Sequence, residues 1–343
     1  MVEPGCTLSS SGIWSEYHEI QSLTSVNSGI PIQDQLIIPM TINPIQHALI
    51  FCIVAFVYSQ SAFAHRIVGC EPEWAALAKE LGGDMVTVNS ATTGLQDPHH
   101  IEARPSLIAM VRNADLLICT GLEVEAGWLP ILFSSSGNSK IQRGQLGYFE
   151  AGDYVQKLDI PTVLDRSEGD VHASGNHHIQ NDPYNILLIA GALTRRLAKI
   201  NPPNAAYFQA RYESFSARWN EAIKRWEKQA APLKGVAIVE HHKAWSYLCH
   251  WLGMREIATL EPKPGMEPTV AHLQEVLGTL QREPANVIVL APYHNPRAAN
   301  WLSERSKIPV VVLPTTVGGT EQAKDLFSLF DDTLQRLLAA ARP

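Results

Sequence analysis

Phe208-Gln209-Ala210-Arg211-Tyr212-Glu213-Ser214-Phe215-Ser216-Ala217-Arg218-Trp219-Asn220-Glu221-Ala222-Ile223-Lys224-Arg225-Trp226 decides how this chain is built. Its residues Phe208, Tyr212, Phe215, Trp219, Ala222 and Trp226 recur at spacings of four, three, four, three and four. At 3.6 residues per turn these fall on one apolar stripe of a helix. Asn201-Pro202-Pro203-Asn204 supplies a helix start just ahead of it. The run predicts one helix of at least ~20 residues, about 30 Å long at 1.5 Å per residue.

What flanks the helix gives it a role. On its N-terminal side, 66–69, 85–88 and 114–120 read as short strands. Helices are expected at 72–81, 106–113 and 184–200, with another starting at Gly127-Trp128-Leu129. On its C-terminal side, strands at 236–239, 287–290 and 310–313 alternate with helices at 245–252, 269–281, 297–305 and 326–338. Apolar strands separated by helices imply parallel pairing with crossover connections. The expected fold class is therefore α/β, with two similar lobes, each a parallel sheet flanked by helices, joined by one long α-helix. The lobes are expected at 65–201 and 233–343, with the linking helix at 202–232.

The length of 343 residues suits two ordinary domains, at roughly 100–200 residues each. The composition is globular, 45% hydrophobic and 18% charged, and at a net charge of −7 nothing suggests the basic face that a nucleic-acid surface would want. The five cysteines contain no CxxC pair, so a zinc ribbon or thioredoxin motif is excluded. Cys70 and Cys119 each end an apolar run and read as small core residues, with a disulfide left open.

Ala48-Leu49-Ile50-Phe51-Cys52-Ile53-Val54-Ala55-Phe56-Val57-Tyr58 is an apolar run of eleven, and Ala62-Phe63-Ala64 after it is an A-x-A cleavage site. A membrane span needs ~20 residues in helix, so the run is too short to cross. Residues 40–64 read as a signal peptide, although no Lys or Arg precedes the apolar core. Residues 1–39 then read as an upstream over-extension of the reading frame, and the mature chain is expected to start at His65 in the periplasm. Ile67-Val68-Gly69-Cys70 resembles a lipobox, but His65 and Arg66 separate it from the apolar core, so the soluble form is preferred.

Three histidine-bearing turns lie at comparable places. His99 and His100 follow a strand, His177 and His178 precede a helix, and His241 and His242 follow a strand. Ligands of open α/β sheets bind beyond the carboxyl ends of the strands. Two facing lobes would bring these turns together in the cleft between them.

With those turns in place, the chain over roughly 65–340 resembles the metal-binding solute-binding proteins of ABC importers, in the zinc/manganese cluster whose lobes are linked by one helix. The carriers are Asp97-Pro98-His99 before Arg104-Pro105-Ser106, and Gly175-Asn176-His177-His178 before Asp182-Pro183. Further carriers are His242-Lys243-Ala244-Trp245-Ser246-Tyr247-Leu248, Glu261-Pro262-Lys263-Pro264-Gly265 and Leu313-Pro314-Thr315-Thr316-Val317-Gly318-Gly319. The resemblance implies metal ligands at His99, His178 and His242, capture of Zn(II) as cargo, delivery to an ABC transporter permease, and a monomer.

Two departures stand out. His177 occupies a place where proline is usual, and Gln180-Asn181 replaces an apolar pair. The segment 314–319 also lacks the carboxylate that similar proteins use as a fourth ligand. Water is the expected fourth partner, with His172, His294 and Glu321 as alternatives. His100 and His241 adjoin expected ligands in extended turns, where neighbouring side chains point apart. Three imidazoles favour zinc over harder ions, with copper and nickel as competitors.

Two rival readings use the same residues. A zinc hydrolase would need a placed base, and Glu102 and Glu240, the nearby candidates, read as outer or solvated residues. A metallochaperone or adhesin-type metal binder would share the site and differ only in its partner.

Overall fold

The computed structural model describes residues 64–162 and 172–341. The expected over-extension, nearly all of the expected signal peptide and residues 169–171 of the histidine loop lie outside the described residues.

The N-terminal sheet is built from β1 (His65–Gly69), β2 (Val86–Ser90), β3 (Leu116–Cys119) and β4 (Tyr148–Glu150), in the spatial order β2-β1-β3-β4. Its helices are α1 (Pro72–Gly82), α2 (Pro105–Arg112), α3 (Leu129–Ser136) and α4 (Pro183–Ile200). The long helix follows as α5 (Ala205–Ala230). The second sheet contains β5 (Ala237–Glu240), β6 (Arg255–Thr259), β7 (Val287–Leu290) and β8 (Val310–Val312), ordered β6-β5-β7-β8. Around it lie α6 (Ser246–Leu252), α7 (Val270–Arg282), α8 (Arg297–Ser306) and α9 (Leu326–Ala340). Every strand pairing among the described residues is parallel, and the two sheets share one topology. The two-lobe expectation is met.

Two strands carry no clear signal in the sequence, β4 and β6, and both are sheet edges. An edge strand is buried less completely and so has a weaker apolar pattern. β6 opens with Arg255-Glu256 and contains no fully buried residue, while β4 is only three residues long.

The stripe on α5 does what its spacing implied. Phe208, Phe215, Trp219, Ala222 and Trp226 are buried, and Tyr212 is half-buried. They join one core containing Ile67 and Trp74 of the first lobe and Ile238, Leu326 and Phe330 of the second. Smaller clusters cover the other faces, around Leu117 and Trp128 in one lobe and around Ile288 and Leu302 in the other. The Trp219 indole also donates to the Pro183 carbonyl at 2.8 Å, tying α5 to the start of α4. Burying such a ring stabilises by several kcal/mol, and truncating one to alanine costs about 3–5 kcal/mol.

Cys70 and Cys119 are not free thiols. They form a disulfide across 49 residues of sequence, with Cα atoms 4.7 Å apart. Adjacent parallel strands β1 and β3 carry them side by side beyond Gly69 and Ile118. Among the described residues no helix is long and apolar enough to cross a membrane.

Candidate metal centre

The three histidine turns meet at the ends of the two sheets. In the first, Asp97 organises the backbone. Its Oδ1 accepts from the His99 amide at 3.0 Å and from the His99 ring Nδ1 at 2.7 Å. A carboxylate can only accept here, so Nδ1 carries the proton and the Nε2 lone pair is left for a metal. Burial alone would raise the Asp97 carboxyl, but the hydrogen bonds and charge of His99 outweigh it and hold the group at about 2.

The second turn is pinned to the opposite lobe. Gly175 sits at φ +100°, where a Cβ would meet the Leu158 carbonyl at 2.7 Å, so glycine is required. Asn176 donates to the Lys243 carbonyl at 2.9 Å, and its own carbonyl accepts from the Tyr247 hydroxyl at 2.9 Å. Its Oδ1 accepts the His178 amide, while Asp182 caps α4 by accepting the Tyr184 amide. Between these fixed points His177 and His178 are driven inward, at 4% and 3% exposure.

The third turn leaves β5. His242 Nδ1 donates to Glu261 Oε2 at 2.8 Å, and Glu261 also accepts the Gly265 amide at 3.1 Å. His242 is therefore oriented as His99 is, by a carboxylate on Nδ1.

The rings crowd together. His178 and His242 have centroids 5.4 Å apart, and His99 and His242 5.9 Å apart, so His99, His178 and His242 share one cleft. The ligand atoms group more tightly around His177. One group is His177, His178 and His242, and another is His99, His172 and His177, each with its ligand atoms within 4.8 Å of one another. Burial, then the neighbouring imidazoles, hold His177 and His178 well below the usual histidine range, so both rings are neutral and able to ligate at physiological pH.

The other candidates fall elsewhere. His100, Glu102 and Glu321 are exposed. His241 stacks on His294 at 4.1 Å, and these two group with Glu261 rather than with His99. His294 is pushed down to about 3 by burial and by His241 and His242. The Ala291 amide donates to its Nδ1, which places the remaining proton on Nε2 and makes it a poor ligand. Glu240 is not solvated. It is 1% exposed, accepts the Trp245 amide, and is raised well above the ordinary carboxyl range by burial and then by Glu256.

Beneath His177 and His178 lies a cavity of about 30 Å³ reached by Glu71, Glu73, Thr120, Tyr293 and Thr316. Glu73, at the start of α1, hydrogen-bonds Thr316 of the other lobe, and burial pushes its carboxyl up to about 7. Glu125 is likewise raised to about 7 by burial, and Glu71 is raised as well. Sequence reasoning does not find these acids, because Glu at a strand-to-helix junction normally marks a solvated first turn.

The sequence model of the family described as zinc-uptake complex component A, periplasmic (ZnuA), matches residues 67–340. The chain belongs to this family. It is a metal-binding transport protein of the ABC substrate-binding kind and not an enzyme. The metal ABC transporter substrate-binding lipoprotein SloC of Streptococcus mutans is 20% identical over 260 residues, covering 74% of this chain and 82% of SloC. The manganese ABC transporter substrate-binding lipoprotein PsaA of Streptococcus pneumoniae is 22% identical over 254 residues, covering 71% and 77%. The solved structure titled "Crystal structure of ZnuA" superposes with a TM-score of 0.69 at 20% identity, over 81% of this chain and all of that one. Names among these relatives thus carry both zinc and manganese.

Proposed function

We propose that this protein captures Zn(II) in the periplasm and hands it to an ABC-type permease, with His99, His178 and His242 as ligands. The observation that carries the choice of metal is the donor set. The cleft offers imidazoles, and the two ligand groups that contain His177 include no carboxylate. Manganese prefers oxygen donors, whereas imidazole suits zinc, copper and nickel. Asp97 and Glu261 serve as orienting partners, each occupied by a histidine Nδ1.

The experiment is a competitive titration of the metal-stripped protein with Zn, Mn, Cu and Ni. Zinc should outcompete manganese by orders of magnitude, and tighter manganese binding would overturn the reading. Export is proposed to follow cleavage after Ala64, with lobes 65–201 and 233–343 about the linker 202–232. The intact mass of protein recovered from the periplasm should correspond to a chain starting at His65, and a diacylglycerol adduct would contradict it.

A further inference from the structure

His177 is the residue that no function yet explains. Both of its ring nitrogens are buried without a hydrogen-bond partner, and the residue is 4% exposed. A neutral imidazole has one donor and one acceptor, and burying both unpaired costs on the order of 1–3 kcal/mol for each. A bound ion would complete the lone-pair nitrogen of such a ring, leaving the N–H nitrogen to a water.

Its surroundings say what that is. The His177 ring centroid lies 4.0 Å from that of His178, 4.3 Å from His172, 4.7 Å from His99 and 6.4 Å from His242. Among the described residues it is the one member common to both all-imidazole groups in the cleft. His178 Nε2 is likewise buried and unpartnered. Three of the carboxylates near the cleft already have partners, while Glu71 keeps one buried oxygen unpartnered and accepts from the Thr120 hydroxyl through the other. Asp97 and Glu261 are held by His99 and His242, and Glu73 by Thr316.

We propose that His177 is a direct ligand of the cargo ion, closing a shell of four imidazoles with His99, His178 and His242. The inference rests on the zinc reading and deepens it. The fourth position is then held by protein rather than by water. Four neutral nitrogen donors suit a tetrahedral Zn(II) at about 2.0–2.1 Å and offer nothing to an oxygen-seeking ion. His177 then acts as a specificity-determining residue beside His178, and release requires the four-imidazole shell to open.

X-ray absorption on the zinc-loaded wild-type protein decides this. The spectrum should require four imidazoles, counted by their outer-shell multiple scattering. His177→Gln should drop the count to three and speed loss of zinc to a chelator about tenfold or more. His178→Ala serves as the control that weakens zinc under either arrangement. A wild-type spectrum fitted by three imidazoles and a light oxygen overturns this inference and leaves the zinc reading standing. Failure of the wild type to bind zinc overturns both. A count that stays at four in His177→Gln overturns the inference, and should that variant fail to fold, a drop to three imidazoles in His172→Gln or His294→Gln overturns it instead.

Discussion

His242 and Glu261 are joined through Nδ1 and Oε2 at 2.8 Å, which fixes the histidine tautomer and turns Nε2 toward the cleft. Outer partners of this kind typically carry a factor of about 10–100 in metal affinity. Glu261→Ala should weaken zinc by that range in a chelator competition, with an unchanged circular dichroism spectrum. An unchanged affinity would show that His242 is oriented by other means.

Glu73 gives a pH signature. Its carboxyl titrates near 4.5 when unfolded and is raised to about 7 by burial, against the opposing Thr316 hydrogen bond. Between those values the folded state binds the extra proton, so its contribution to stability falls as pH rises and is fully lost above about 7. Glu73→Gln is neutral throughout. It should raise the melting temperature of the metal-free protein more at pH 8 than at pH 5. A gain equal at both would reject burial of charge as the cause.

The disulfide joins strands that already neighbour each other, so its main effect is on the unfolded chain. Closing a loop with a separation of 49 residues stabilises by about 2–4 kcal/mol. The double variant Cys70→Ser, Cys119→Ser should lose that much in urea unfolding while still binding zinc. Full stability in the variant would mean that the strands alone hold the lobe.

Helix α5 has no proline or glycine across Ala205–Ala230, and its apolar stripe is shared by both lobes. Sharp kinks need such residues, so wide hinge bending is resisted. Metal-free and zinc-loaded protein should differ in radius of gyration by no more than a small lobe tilt, read by X-ray scattering. A hinge-sized contraction would show that the link bends.

Much of the fold is legible in the chain. The α5 stripe, the central strands and the helices after them are local patterns, and each reports its own buried face. The edge strands β4 and β6 escape because half-buried segments lack that periodicity. The disulfide escapes as well, since no spacing rule brings Cys70 beside Cys119 until β1 and β3 are paired.

The site divides in the same way. Sequence by itself determined that three histidine turns stand at strand ends and helix starts, because turn residues and apolar periodicity are written within a few positions. Only the tertiary structure shows that His177 turns inward together with His178 while His241 turns away from His242. His177 is buried among imidazoles because Asn176, one residue before it, is tied to Lys243 and Tyr247 of the other lobe. His241 is turned away onto His294, and Glu71 and Glu73 are buried beside His177 and His178, by contacts with Thr120 and Thr316 that lie far along the chain. Burial, and with it the proton affinity of each of these groups, is set by what packs against a residue from a distance in sequence, which no short stretch of chain records.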